Sequence, residues 1–179
     1  MNKYYAKTAL YAYPNLEAVA EQIDELVERR AIISMNNYSP AVEQCEKVVD
    51  LTYQKDVLFA LKLHIEDALE KLNQEELDCL EYKYFKRKPK EYFIDFDAES
   101  RSYFRRQNKL ADKISKSLER GGATDKWFEE HCLSMEFFSE LLKRVIEREK
   151  QCCREKSGKA ITKSKAKKTG KIIQKRLSA

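Results

Sequence analysis

The stretch SRSYFRRQNKLADKISK, residues 100–116, is the most informative part of this chain. Its apolar side chains recur at helical spacing, at Tyr103, Phe104, Leu110, Ala111 and Ile114. Basic side chains fill the other faces: Arg101, Arg105, Arg106, Lys109, Lys113 and Lys116. The pattern predicts an amphipathic helix that either contacts DNA or is a well-solvated surface.

The composition favours an all-α fold. Only 4 Gly and 3 Pro interrupt 179 residues, of which 42% are hydrophobic and 36% charged. Good helix formers are abundant, and the length allows one sizeable core or two small helical units. The chain has no run of eighteen apolar residues, and its opening MNKYYAKTALYAYP lacks the apolar segment of a signal peptide. We therefore predict a cytoplasmic, nucleoid-associated protein without a membrane partner.

The sequence offers little catalytic or metal-binding chemistry. The five cysteines have no Cys-x-x-Cys spacing, which favours reduced thiols: Cys45, Cys79, Cys132, Cys152 and Cys153. Two histidines, His64 and His131, lack further ligands in a recognisable motif, and there is no glycine-rich phosphate loop. We predict no catalytic residue, no metal and no cofactor, and thus a protein that is not an enzyme.

Charge is segregated along the chain. Residues 1–81 carry 8 basic and 16 acidic residues, whereas residues 82–120 carry 12 and 6. Residues 154–179 carry 10 basic residues and 1 acidic residue. A polyanion would therefore meet the middle and the tail of the chain rather than its first helices.

Residues 1–72 predict an acidic helical hairpin that serves interaction or dimerisation. Pro14 and Asn15 mark the start of a first helix that runs to about Ile33, and Ser39 with Pro40 starts a second. The second helix has one long periodic apolar run: Val42, Cys45, Val49, Val57, Leu58, Leu61, Ile65, Ala68, Leu69 and Leu72. A short turn between long helices favours antiparallel packing.

Residues 73–122 have the helix order of a helix-turn-helix DNA-binding region. Asn73 and Glu76 predict a capping box that starts a helix ending near Pro89. A short apolar piece, EYFIDF, comes next. The long basic helix then follows, with Asp97 as its cap, and the pair Gly121 and Gly122 ends it.

This region resembles the fourth conserved region of bacterial sigma factors, and more closely the phage transcriptional regulators of the ArpU and RinA type. The resemblance rests on LNQEELDCLEYKYFKR (72–87) and DAESRSYFRRQNKLADKISKSL (97–118). It implies a transcriptional regulator of phage or mobile-element type that binds duplex DNA. RNA polymerase is a further partner, and a homodimer is expected because one short helix-turn-helix gives little specificity alone.

The resemblance also implies roles for individual residues. Base contacts would fall on Ser100, Arg101, Ser102 and Arg105, and phosphate contacts on Arg106, Lys109 and Lys113. The flanking DNA backbone would meet Lys86, Arg87, Lys88 and Lys90. The core would be faced by Tyr103, Leu110, Ile114 and Leu118. The chain departs from the family at Phe93 and Phe96, which are bulky where the short helix usually carries a small residue.

Residues 123–150 predict a C-terminal helical segment, with a cap at Thr124 or Asp125 and an apolar stripe from Phe137 to Ile146. Residues 151–179 predict a flexible basic tail.

The alternative function is a non-enzymatic helical adaptor that binds RNA polymerase, a sigma factor or another protein without contacting bases. In that case the basic helix would pack on the acidic hairpin, and the opening tyrosines would form a contact surface: Tyr4, Tyr5, Tyr11 and Tyr13.

Overall fold

The predicted all-α class is confirmed. The computed structural model describes residues 1–36, 40–85 and 101–151, with the backbone alone for 34–36 and 101–104, and these ranges contain no β-strand. The helices are α1 (Lys3–Ala12), α2 (Leu16–Asn36), α3 (Ala41–Glu70), α4 (Gln74–Tyr84), α5 (Arg101–Arg120), α6 (Asp125–Trp127) and α7 (136–151). A 3₁₀ turn, Tyr13–Asn15, joins α1 to α2, and a π-helical turn, Phe128–Cys132, continues α6. None of the described helices is long and apolar enough to span a membrane.

The tyrosine-rich opening forms α1, which lies in the centre of the core. Ala6, Ala9, Leu10 and Ala12 are fully buried, and α1 contacts both α3 and α5. The Tyr11 ring is partly buried and packs against the core, with its centroid 4.6 Å from that of the Tyr84 ring. All four opening tyrosines are partly buried, and the contact surface expected at Tyr4, Tyr5, Tyr11 and Tyr13 stays a prediction.

Helices α2 and α3 form the predicted antiparallel hairpin. Lys55 Nζ lies 2.7 Å from Asp24 Oδ1, and further along α3 Lys62 Nζ lies 2.6 Å from Glu17 Oε1. The later residue of α3 thus pairs with the earlier residue of α2, so the two helices run antiparallel. The predicted cap Ser39 lies outside the described residues, and α3 begins at Ala41 with Pro40 in the N-cap position.

Helix α3 has two apolar faces rather than the single one that its sequence predicted. Leu58, Leu61 and Ile65 are buried in the core. Val42 and Val49, which we expected on the same face, are 71% and 65% exposed. At 100° per residue these two side chains point away from the core, so the apolar run changes face along the helix.

Two predicted helix-boundary signals around α4 and α5 are confirmed, whereas the predicted helix end near Pro89 and the predicted cap Asp97 lie outside the described residues. The Glu76 N–H donates to Asn73 Oδ1 over 2.8 Å, and the Asn73 N–H donates to Glu76 Oε2 over 3.1 Å, which completes the capping box of α4. At the end of α5, Gly122 has φ of +103°, a conformation that side chains with a Cβ rarely adopt. These two signals fix where α4 begins and α5 ends.

The C-terminal segment begins with the predicted cap. Thr124 Oγ1 accepts from the Trp127 N–H over 3.2 Å, and Phe128 and Phe138 are fully buried. Met1–Leu142 form one compact unit, and the chain from Lys143 belongs to a second unit, whose described part is the end of α7. The predicted flexible tail lies, after Gln151, outside the described residues.

Candidate nucleic-acid interface

One face of α5 packs into the core. Leu110 is 5% exposed, and Ile114 and Leu118 are fully buried, as the sequence predicted. The helix contacts α1, α3 and α4. These contacts hold its long axis in a fixed position and leave the opposite face in solvent.

A buried amide couples α5 to α4. Gln107 is 1% exposed, and its Nε2 donates to the carbonyl oxygen of Cys79 in α4 over 2.9 Å. Burial raises the pKa of the Cys79 thiol, and the Gln107 contact opposes this shift only in part. Because the hydrogen bond joins a side chain of α5 to the backbone of α4, it sets the rotation of α5 about its own axis.

The outer face of α5 is a basic stripe, which we define as Arg105, Arg106, Lys109, Lys113, Lys116 and Arg120. All six side chains are exposed. At 100° per residue they fall within an arc of about 100°, opposite the buried face. Acidic residues Asp112 and Glu119 lie at one edge of this arc and are exposed too.

Lys113 is tied to the capping box of α4. Its Nζ lies 2.5 Å from Glu76 Oε2, and this contact lowers the pKa of the Glu76 carboxyl, with the backbone bond from Asn73 adding to the effect. A groove of about 340 Å³ runs beside this pair between α4 and α5. Its walls include Asn73, Glu76, Cys79, Arg106, Lys109 and Lys113.

A second, smaller pocket of about 150 Å³ lies further along α5, against the end of α3. Its basic lining consists of Lys71, Lys113, Lys116 and Arg120. Ser117 also lines this pocket, and its hydroxyl oxygen is buried without a hydrogen-bond partner in the described structure. The two pockets follow one another along the same edge of the basic stripe, and Lys113 lines both.

Several predicted site residues lie outside the described part. The structure does not describe Ser100, Lys86, Arg87, Lys88 and Lys90, nor Phe93 and Phe96, which the resemblance assigns to a short helix. Arg101 and Ser102 lie in the first turn of α5, with only their backbones described. The predicted positions whose side chains are described, Arg105, Arg106, Lys109 and Lys113, share one outer face.

Sequence reasoning did not include Lys116, Arg120 and Gln107 in the site. The spacing of Lys109, Lys113, Lys116 and Arg120 continues one helix face, and this periodicity was sufficient to extend the site by two residues. Nothing in the sequence distinguished Gln107 from an exposed polar residue, because its burial depends on the approach of α4.

The described histidines and the buried cysteines pack as structural side chains. His64 and His131 both pack against Trp127, with ring centroids 5.8 and 5.4 Å from its ring. Within the described ranges no group of three or more His, Cys, Asp or Glu side chains is placed to hold a metal ion. Cys132 is fully buried, and burial raises its thiol pKa to about 12.

Comparison with protein-family models, with curated proteins and with solved structures finds no match for this chain.

Proposed function

We propose that the protein is a transcriptional regulator of phage or mobile-element type that binds duplex DNA through α5. The observation that carries this proposal is the basic stripe, six exposed cationic side chains opposite a buried apolar face. The likeness of residues 72–87 and 97–118 to sigma region 4 and to ArpU and RinA regulators supports it. RNA polymerase is proposed as a further partner, and association with the nucleoid follows from DNA binding.

The stripe has the chemistry that a DNA groove requires. An α-helix fits the major groove, where an arginine side chain bonds guanine in a bidentate manner. Arg105 lies in the second turn of α5 and makes such a base contact, together with the other predicted base-contacting residues Ser100, Arg101 and Ser102. Lys109 and Lys113, one and two turns later, contact phosphates and fix the register. Arg106 lines the groove between α4 and α5, and we expect it to contact a phosphate as well.

The test is a fluorescence anisotropy titration of the full chain against fragments of its source genome. The double variant Arg105→Ala with Lys109→Ala removes one base contact and one phosphate contact. We expect the affinity to fall at least about 10-fold, because a good base contact contributes about 1–3 kcal/mol. The slope of log K against log salt should also become less steep by about 1.

A matched control removes the same charge elsewhere. Arg29→Ala with Lys47→Ala deletes two exposed cations of the hairpin, each paired with an acidic residue four positions away. This control should leave affinity and salt slope unchanged. Equal affinities for the two double variants would reject DNA contact by α5.

A non-enzymatic adaptor that binds RNA polymerase, a sigma factor or another protein remains the second candidate. The observation that favours it is the exposed apolar surface of the hairpin, where Ile32 is 60% exposed and Leu63 is 65% exposed. An adaptor would bind no genomic fragment above the level of an unrelated duplex in the same titration. That outcome would exclude the first proposal and support this one.

A further inference from the structure

Helix α3 has an apolar seam on the side away from the core. The outer seam is defined as Val42, Cys45, Val49, Thr52, Asp56, Phe59 and Leu63, and its spacings alternate between three and four residues. Val42, Val49, Phe59 and Leu63 are 71%, 65%, 44% and 65% exposed, and Cys45 is exposed as well. Alternating spacings of three and four are the pattern of a coiled-coil seam.

The outer seam begins on a part of the hairpin that has no core of its own. None of the described side chains in 24–33 and 40–56 is buried, whereas the base of α3 buries Val57, Leu58 and Leu61. Two helices alone cannot enclose their apolar residues, so such a hairpin gains stability from further helices. We call residues 24–33 and 40–56 the distal hairpin. This part of the protein has an exposed apolar surface, and packing against a further helix would stabilise it.

We propose that the partner is a second copy of this chain, with the outer seams of two α3 helices packed in antiparallel orientation. This surface lies apart from the basic stripe, and the inference does not depend on DNA binding. A two-fold axis pairs one patch with itself, so the seam must match its own reverse. The order of side chains along α3 meets that condition.

In the antiparallel register centred on Gln54, four of the five apolar seam residues oppose one another, while Val42 at the end of the seam falls opposite Glu66 of the partner subunit. Cys45 faces Leu63 of the partner subunit, and Val49 faces the partner subunit's Phe59. The two polar seam positions also meet, because Asp56 faces the hydroxyl of the partner subunit's Thr52. The parallel register instead sets Asp56 against the partner subunit's Asp56, and two like charges in a seam oppose association. Charge therefore selects the antiparallel arrangement.

The area of the seam predicts a moderate affinity. It spans residues 42–63, about 32 Å of helix. Its five apolar side chains, at the exposed fractions above, carry on the order of 500 Å², which is below the roughly 800 Å² per partner of a standard interface. We expect a dimer with a Kd in the micromolar range.

Sedimentation velocity on the full chain between about 1 and 100 μM tests the dimer. The native chain should shift from monomer to dimer over this range. Val49→Asp with Leu63→Asp should raise the Kd at least about 100-fold, because two aspartates would be buried in the seam. Both positions are exposed in the monomer, so circular dichroism should show an unchanged helical content. Ile32→Asp, exposed on α2 and outside the seam, is the matched control and should leave the Kd unchanged.

Disulfide trapping tests the orientation. In a background with Cys152→Ser and Cys153→Ser, Leu63→Cys should give a covalent dimer on oxidation with copper phenanthroline, since the introduced thiol faces Cys45 of the partner subunit. The same background without Leu63→Cys should give none, because in this register the two Cys45 residues are about 27 Å apart. A monomer at every concentration, a dimer unaffected by the aspartate pair, or trapping through Cys45 alone would each overturn the proposal.

Discussion

At the scale of single residues, Tyr5 shows how one side chain joins distant parts of the chain. Its ring stacks on Phe128 with centroids 5.1 Å apart, and its hydroxyl donates to Glu129 Oε1 over 2.7 Å. Both partners lie in the π-helical turn, more than 120 positions along the chain. Tyr5 therefore fixes α1 to the C-terminal part of the compact unit.

The Tyr5 hydroxyl predicts a loss of stability in alkali. Its hydrogen bond to Glu129, followed by burial, raises the Tyr5 pKa from 10.0 to about 12. The folded state therefore holds the phenol proton more tightly than the unfolded state does. The resulting contribution to the free energy of unfolding is complete below pH 10 and is lost as the pH rises towards 12. Tyr5→Phe should lower the free energy of unfolding by about 1 kcal/mol at pH 7.

Urea unfolding at pH 7 and at pH 10.5 measures this effect. The difference between the native chain and Tyr5→Phe should shrink at the higher pH. Tyr82→Phe, on an exposed side chain of α4, serves as the control and should change neither value. A constant difference at both pH values would contradict the assigned hydrogen bond.

At the scale of helices, local signals predicted boundaries well and faces less well. The capping box at Asn73 and the glycine at 122 depend on residues adjacent in sequence, so both were predictable. Helix α1 was missed because small alanines and tyrosines do not give the Leu-rich stripe by which amphipathic helices are recognised. The exposure of Val49 was also missed, because periodicity shows that apolar residues share faces but not which face meets the core.

The capping box gives a prediction that separates the cap from the ion pair. Asn73→Ala removes the acceptor for the Glu76 N–H and should lower the free energy of unfolding by about 1 kcal/mol. Glu76→Gln should cost less than about 0.5 kcal/mol, because glutamine can still accept from the Asn73 N–H and the exposed pair with Lys113 contributes little.

Thermal unfolding of both variants provides the comparison. The pKa of the Glu76 carboxyl is lowered in the folded state. The ion pair of Glu76 with Lys113 therefore stabilises the fold above the pKa that Glu76 has in the unfolded chain, and this stabilisation is lost as the pH falls through the folded-state pKa. The small cost of Glu76→Gln should therefore vanish in acid, while that of Asn73→Ala persists. A Glu76→Gln cost as large as that of Asn73→Ala would show that the ion pair dominates.

At the scale of the whole molecule, composition was enough to predict the all-α class, and charge segregation correctly located a basic helix. The sequence did not predict that one core, with α1 at its centre, unites residues from Ala6 to Phe138. Contacts such as those between α1 and α5 join parts of the chain that are about 100 positions apart, and no local pattern encodes them. The same limit applies to the partner of the distal hairpin.

Uneven burial along α3 predicts uneven protection from hydrogen exchange. Amides in 42–53 should exchange faster than amides in 57–68, because only the second group belongs to a helix segment with buried side chains. Hydrogen–deuterium exchange with mass spectrometry at about 1 μM measures both groups in one helix.

Concentration supplies the internal control. If the outer seam pairs two subunits, exchange in 42–53 should slow as the protein concentration rises, while exchange in 110–118 of α5, which carries no seam residue, stays constant. Uniform protection along α3 at low concentration would show that the distal hairpin is stable without a partner.

The buried amide of Gln107 affects the charged outer face of α5. Its bond to Cys79 joins α5 to the backbone of α4 and, together with the buried side chains Leu110, Ile114 and Leu118, fixes the direction in which the outer face points. A substitution that removes this bond would weaken the attachment of α5 to α4 next to all six cations. The geometry of an exposed charged surface therefore depends in part on an uncharged amide on the buried face of the same helix.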